Sequence, residues 1–505
     1  MPIPSAQEII GKMRSPSAAE RALVEKAYAF SNIAHKDHKR LSGDPYFVHV
    51  SETAKTLAEL GMSAKVVAAG LLHDSVEDVG ILPETIEAEF GKEIRFLVEG
   101  VTKLGRLKYT GAERHRESLR KLLVATGQDA RVLIIKLMDR LNNMRTLAAV
   151  APEKRKRIAL ETLEIYAAIA HRLGMGVVRR ELEDLSFEYA YPEEFTHIKK
   201  LLSERSKVTF KRLEAMQKTL RQDLAKNGIT KFHTDYRVKG LYSLWRKLER
   251  KEGDIEKIYD IAALRIVVPT EADCYRVLGL VNNIYQPLPG KIKDYIAFPK
   301  PNGYKSLHTT VFTGDGGIVE VQIRTEAMHA AAEIGIAAHV GYKEGARTSS
   351  FDWIRSLIPA LRHRRDDQEE KNAAGREVPE WLTQLGGETD DPDFEMTLRT
   401  DLFNRRVFVF TPTGDVVDLP AESSPIDFAY AIHSDIGDHA FAAKVGGKLV
   451  PFDTHLHNGD IVEIQTRKGA TPKTKWLDFA KTTLARRHIR MYLEKHRARP
   501  LNGKH

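Results

Sequence analysis

The chain has 505 residues, 42% hydrophobic and 29% charged, a balance ordinary for soluble globular protein and a length that predicts about three domains. Its single cysteine, Cys274, excludes a disulfide framework and any zinc module built on several cysteines. The net charge of +9 and pI of about 9.2 fit a basic enzyme equally with a protein whose partner is phosphate-rich.

Residues 1 to about 195 read as helical throughout, because stretches such as SAAERALVEKAYAFSNIAHKD and RKRIALETLEIYAAIAHRLGM space their apolar residues by three and four. The apolar run VVAAGLL at 66–72 is far short of the ~20 residues a membrane span needs. The opening MPIPSAQEII has no basic segment leading into an apolar one, so a cytoplasmic protein without a membrane partner is expected. LLHDSVED at 71–78 then sets an imidazole and three carboxylates directly after apolar residues, which is costly to bury without a partner. On a helix, His73 and Glu77 fall one turn apart, and so do Asp74 and Asp78. A nitrogen ligand beside a carboxylate suits a divalent transition metal, and the remaining carboxylates can deprotonate a water. His49, in GDPYFVH, and Asp139, in IKLMDRLNNMRTL, are candidates for the missing ligands.

From about 196 the pattern changes. LLSERSKVTFKRLEAMQKTLRQDLAKNG reads as a helix and IAALRIVVP (261–269) as a buried strand. GGIVEVQIRT (316–325) alternates, with Glu320, Gln322 and Arg324 on one face and Val319, Val321 and Ile323 on the other. YRVKGLYSLWRKL gathers Arg237, Lys239 and Lys247, cations able to hold a triphosphate. Asp260 and Glu320, on different strands, can share a Mg²⁺. Tyr304, after Gly303, offers a face for stacking a base. Residues 346 to about 402 are rich in charge, Gly and Pro and read as a linker with short helical pieces. RVFVFTPTGDVVDLP reads as a hairpin, AAKVGGKLV as another turning at Gly446–Gly447, and DIVEIQT as a further strand. From Lys468 onward the tail reads as a basic helical segment.

These motifs carry a resemblance. KRLSGDPYFVH, LLHDSVEDV, GVTKL, IKLMDRLNNMRTL and ETLEIYAAIAHRLGM resemble the HD-type hydrolase domain of the RelA/SpoT homologues, which make and destroy the guanosine alarmones ppGpp and pppGpp. The resemblance implies a metal, usually Mn²⁺, on His49, His73, Asp74 and Asp139. It implies water activation by Glu77 and Asp78, and nucleotide contacts from Arg40, Asn143 and Thr146. Asn142 stands where the family has His; it is not among the implied ligands and is expected to be unimportant.

GYKSLHTT and EVQIRT resemble the synthetase signature of the same family, whose members move pyrophosphate from ATP to the 3′-hydroxyl of GDP or GTP. The resemblance implies ATP on Arg237, Lys239, Lys247 and Arg265, and Mg²⁺ on Asp260 and Glu320, with Glu320 also activating the hydroxyl. It implies guanine stacked on Tyr304, and Lys300, Asn302, His308 and Gln322 completing the guanosine site. In the KIKD motif at 291–294, Lys291 replaces the Arg that the bifunctional members of the family carry, and a lysine cannot form the bidentate fork, so the resemblance leaves the GDP-against-GTP preference open. Residues 403–467 resemble the TGS domain, a β-grasp module; that implies contact with uncharged tRNA on a ribosome, through His433.

The expected organisation is therefore multidomain, α and α+β. It comprises an all-helical HD hydrolase domain (1–195), a nucleotidyltransferase-like α/β synthetase domain (196–345), a linker (346–402), a TGS domain (403–467) and a basic helical tail (468–505). The leading expectation is a bifunctional (p)ppGpp synthetase and hydrolase of the stringent response. The alternatives are a hydrolase-dominant enzyme with weak synthesis, and a tRNA- or ribosome-binding regulator.

Overall fold

Helix starts in the N-terminal region are written in local chemistry. Ser17 accepts from the Glu20 amide and Glu20 reaches back to the Ser17 amide, a capping box that opens the helix Ala18–Ala34. Asp129 caps Ala130–Arg145 by accepting from the Arg131 amide. The computed structural model describes residues 2–105, 129–255, 258, 261–300, 302–337, 406–413, 416–457 and 459–497. The chain forms two compact units, Met1–Ala346 and Arg347–His505. Residues 346–402, read as a linker, lie outside the described residues, and so does Asp260.

In the first unit, the helices Phe47–Glu59, Ala64–Leu72 and Ala130–Arg145 pack together. Ala64–Leu72 is buried almost all round, with Val66, Val67, Leu71 and Leu72 at 1% exposure or less. Its approach to Phe47–Glu59 needs a glycine, since a Cβ on Gly70 would stand 2.4 Å from Leu57 Cδ1. The helix ends at Leu72, not beyond Asp78 as the sequence pattern predicts, and residues 73–78 continue as hydrogen-bonded turns. The Asp78 amide still bonds to the Asp74 carbonyl at 2.9 Å, so the one-turn relation of those two carboxylates survives.

The helices Ala167–Arg172 and Gly176–Ala190 lead into the 35-residue helix Pro192–Lys226. A mixed sheet follows, of β1 (His233–Val238), β2 (Ala262–Val268), β3 (Lys293–Asp294), β4 (Leu307–Phe312) and β5 (Ile318–Thr325), in the order β1-β2-β5-β4-β3. The β2–β5 pair is parallel and the other neighbours antiparallel. β2 is buried along its whole length, as a parallel strand covered on both faces must be. On β5, Val319, Val321 and Ile323 enter the core beside Leu213, Leu220 and Leu264, which leaves Glu320, Gln322 and Arg324 on the opposite face.

In the second unit, β6 (Arg406–Phe410) and β7 (Val416–Pro420) form a hairpin. β10 (Val462–Thr466), β8 (Ala440–Val445) and β9 (Lys448–Val450) form a three-stranded sheet in that order. Gly446 and Gly447 both have positive φ, 56° and 79°, as the tight β8–β9 turn requires. The tail is not one helix from Lys468. A short 3₁₀ turn at Thr474–Asp478 precedes the helix Thr483–Arg497. That helix is part of this unit's core, where Ala485 and Ile489 pack with Ile426, Tyr430 and Trp476.

Candidate active sites

The first site forms where three helices converge. His49 comes from the first turn of Phe47–Glu59, His73 and Asp74 from the end of Ala64–Leu72, and Asp139 from the middle of Ala130–Arg145. Ligand atoms of His49, His73 and Asp74 lie within 4.8 Å of one another. Asp139 Oδ1 is 3.3 Å from His49 Nε2, and Asp74 Oδ2 is 3.4 Å from His49 Nε2 and 3.2 Å from His73 Nε2. The two rings are held by their other nitrogens, His49 Nδ1 against Asn142 Oδ1 at 2.6 Å and His73 Nδ1 against the Gly70 carbonyl at 2.8 Å. That is the outer hydrogen bonding that orients metal-binding imidazoles. His73 Nε2 is buried without a hydrogen-bond partner. Two imidazole nitrogens and two carboxylates with one nitrogen orphaned fit a divalent ion.

Electrostatics agree with this. Burial disfavours a charged His49, but hydrogen bonds to Asp139 and Asp74 outweigh it and raise the imidazole to about 9. Burial likewise opposes ionisation of Asp74, yet His73 and His49 hold it well below the usual carboxylate range. Lys136 Nζ donates to Asp139 Oδ2 at 2.7 Å. A buried pair of ionised carboxylates is thus answered by whatever cations are present.

Glu77 and Asp78 are exposed beside this cluster. Tyr46, which sequence reasoning missed, joins the two carboxylate pairs: its hydroxyl donates to Asp74 Oδ2 at 2.8 Å and also contacts Asp78 Oδ2. Arg40 donates to Thr146 Oγ1 at 3.2 Å, to Asn142 Oδ1 at 3.3 Å and to Asn143 Oδ1. The structure therefore brings Arg40, Asn143 and Thr146 together next to the cluster. Asn142, expected to be unimportant, is corrected here: it links His49 to Arg40 through one amide oxygen. Its position one residue before Asn143 gave no sign of this, since the contact depends on how Ala130–Arg145 faces Phe47–Glu59.

The second site is a cavity of ≈ 300 Å³ over the polar face of the sheet. Arg237, Lys239, Lys300, Asn302, Tyr304, His308, Glu320 and Gln322, all expected from sequence, line it. Glu320 Oε1 accepts from Gln322 Nε2 at 2.7 Å and lies 3.3 Å from His308 Nδ1. Tyr304 Oη is 2.9 Å from His308 Nε2. Lys300 Nζ stands over the rings of Tyr295 and Tyr304, at 4.6 and 4.9 Å from their centroids. Burial, with Lys293 and Arg237 nearby, pushes the Lys300 ammonium down to about 8. Gly303, at φ +76°, turns the chain into Tyr304. Among the described residues the cavity carries seven Lys and Arg side chains against two carboxylates.

Some expected residues stand elsewhere. Lys247 and Lys291 do not line the cavity, whereas Lys293 does; the lysine of KIKD that faces the site is the second one, which pairs across β3 and β4 with the cavity residue His308. Arg265 lies behind the wall, bonded to Asp235 and, at 2.8 Å, to Glu333. Asp260 falls outside the described residues; Ala263, three positions on, pairs with Glu320 across β2 and β5. Sequence reasoning also missed His171, Arg179 and Arg180, which reach the cavity from the helical region. In the second unit His433 is exposed, and its Nδ1 accepts from the Asp435 amide at 3.1 Å as the cap of the helix Ser434–Asp438.

Comparison with known proteins places this chain in a family. Residues 27–176 match the HD domain, 236–347 the region found in RelA / SpoT proteins and 407–466 the TGS domain. The chain is 42% identical to a guanosine-3′,5′-bis(diphosphate) 3′-pyrophosphohydrolase of Aquifex aeolicus, over 97% of this chain and 67% of that one. It is 43% identical to a GTP pyrophosphokinase of Myxococcus xanthus, over 94% of this chain and 60% of the relative. The bifunctional (p)ppGpp synthase/hydrolase SpoT of Escherichia coli is 42% identical, over 93% of this chain and 64% of its own length. The chain thus spans roughly three-fifths to two-thirds of the length of these relatives. With the HD, RelA/SpoT and TGS regions in that order and this identity sustained along nearly its whole length, the chain belongs to the RelA/SpoT family.

Proposed function

We propose that this chain both makes and hydrolyses guanosine alarmones. The observation that carries the reading is the pairing, within the unit Met1–Ala346, of a buried His/Asp cluster with a separate polycationic cavity built around Glu320 and Tyr304.

In hydrolysis, Arg40, Asn143 and Thr146 hold the nucleotide against the cluster. His49, His73, Asp74 and Asp139 would hold a divalent ion, Mn²⁺ in this proposal, which would supply Lewis-acid activation of water. Glu77 and Asp78 take the proton from the attacking water, with Tyr46 holding Asp78 next to Asp74. The bond between phosphorus and the 3′-oxygen breaks, releasing pyrophosphate and leaving a 3′-hydroxyl.

In synthesis, Tyr304 stacks guanine and Arg237, Lys239 and Lys300 hold phosphates, so most of the catalysis is positioning and charge neutralisation. Lys247 and Arg265 are further ATP contacts in this reading, and Asn302, His308 and Gln322 hold the guanosine nucleotide. Asp260 and Glu320 would bind Mg²⁺, which neutralises phosphate charge. Glu320 accepts the proton of the acceptor's 3′-hydroxyl; that oxygen bonds to the β-phosphorus of ATP, and AMP leaves with the bridging oxygen. The TGS unit is proposed to contact tRNA through exposed His433.

The test uses a Glu77→Gln/Asp78→Asn variant, so that product accumulates. With ATP, Mg²⁺ and GDP or GTP it should yield ppGpp or pppGpp and matching AMP by ion-exchange chromatography. The unaltered chain with Mn²⁺ and ppGpp should release GDP and pyrophosphate. No product from either arm would end the bifunctional reading; product from the second arm alone would leave a hydrolase.

A further inference from the structure

Glu333, on the helix Glu326–Ile334, faces the synthetase cavity, and three guanidinium groups converge on its carboxylate. Arg180 Nη2 is 2.8 Å from Oε2, while Arg265 Nη1 and Arg324 Nη2 are 2.8 and 3.3 Å from Oε1. One carboxylate cannot neutralise three guanidinium groups. Arg324 is 0% exposed, and its Nε and Nη1 have no hydrogen-bond partner, which is costly for a buried charged donor. Burial, then the neighbouring Arg237, Arg265 and Arg179, push the Arg180 guanidinium below its ordinary value despite Glu333. This wall is under-neutralised. The ligand chemistry that answers it is a polyanion with several acceptor oxygens, which guanidinium forks match bidentately.

The three arginines differ in freedom. Arg265 is pinned on its other side by Asp235, and Arg324 is fully enclosed. Arg180 lines the cavity with its side chain 26% exposed and paired with Glu333. It also comes from the helix Gly176–Ala190, which lies outside both the HD match at 27–176 and the RelA/SpoT match at 236–347 for all but its first residue.

We propose that Arg180 is a further phosphate-binding residue of the synthetase cavity, and that Glu333 is the placeholder anion it exchanges for a nucleoside triphosphate. The inference rests on the synthetase reading above. On exchange, the Nη2 donor of Arg180 passes from Glu333 to a phosphate oxygen, while Glu333 keeps Arg265 and Arg324. The helix that connects the hydrolase region to the synthetase region thereby becomes part of the triphosphate site.

A plain docking pair between the helices Gly176–Ala190 and Glu326–Ile334 makes a different forecast. Its two members are equivalent, so removing either has the same effect. A binding residue and its competitor have opposite effects on affinity.

The full chain would be assayed as Arg180→Gln, Arg180→Lys and Glu333→Gln. The readouts are Kd for α,β-methylene-ATP with Mg²⁺ by calorimetry, steady-state synthesis with GDP as acceptor, and thermal midpoints. Arg180→Gln should weaken Kd and raise KM for ATP about tenfold, the loss expected for one charge-assisted contact, with kcat changed less. Arg180→Lys should fall between. Glu333→Gln should bind the analogue as tightly as the unaltered chain or more tightly. Unchanged Kd in both Arg180 variants overturns the proposal, and so does an equal rise in Kd for Arg180→Gln and Glu333→Gln. Should Glu333→Gln fail to fold, the two Arg180 variants decide alone. An unaltered chain that binds the analogue but forms no product would refute the synthetase reading, and the binding comparison would still decide the role of Arg180.

Discussion

Loading the HD cluster with a divalent ion should release a proton from His49. In the metal-free protein the imidazole is raised to about 9 by Asp139 and Asp74 acting against burial, so it is protonated at neutral pH. A metal ligand must be neutral. At pH 7, two units below, the protonated form outnumbers the neutral one about a hundredfold, a penalty of about 2.7 kcal/mol on apparent metal binding. The sign follows directly. Below pH ~9 protonation of His49 should lower the apparent affinity about tenfold per unit of pH decrease, with His73, raised by Asp74 against burial, adding to that slope, and above it His49 should contribute no pH dependence. Mn²⁺ titration by calorimetry at pH 6.5, 7.5 and 8.5, each in two buffers of different ionisation enthalpy, measures both the slope and the protons released. An apparent affinity flat across that range, with no buffer-dependent heat, would refute the linkage.

Other outcomes follow from single contacts. Asn142→Ala removes the acceptor on His49 Nδ1 and should weaken Mn²⁺ binding about 10–100-fold, read by metal titration, while synthesis is unchanged. Tyr304→Leu removes the stacking face and should cost about 1–3 kcal/mol of acceptor binding, seen as a higher KM for GDP with the Kd for an ATP analogue little altered. In the second unit, the buried Asp427 accepts from the Ser424, Lys481 and Thr482 amides and from two hydroxyls. Asp427→Ala would orphan these donors and should destabilise that unit by about 3 kcal/mol, measured by urea titration followed through Trp476 fluorescence.

Most of the architecture is legible in the sequence because it rests on short-range pattern. Three- and four-residue spacing announces the helical region, the alternation at 316–325 separates Glu320 and Gln322 from Val319 and Val321, and Gly446–Gly447 marks a turn. The site residues His73, Asp74, Glu77 and Asp78 stand out because four ionisable groups beside an apolar run need a reason to be there. These are properties of a segment and its immediate neighbours, so they can be read one segment at a time.

What the sequence leaves undetermined depends on which surfaces meet. The helix stops at Leu72 although the spacing to Asp78 is helical. Asn142 matters because Ala130–Arg145 turns that side of itself toward His49. Lys293 rather than Lys291 faces the cavity because of how β3 sits against His308. The helix Thr483–Arg497 reads as a basic tail, yet its Ala485 and Ile489 complete a core with Tyr430 and Trp476. Above all, Arg180 and Glu333 stand 153 positions apart in the chain with no shared motif, and only packing of their helices brings one carboxylate among three guanidinium groups. Residue type and local spacing determined which chemistry this chain can carry. Tertiary contact decided which charges neutralise one another, because electrostatic interaction depends on distance in space and not on separation along the chain.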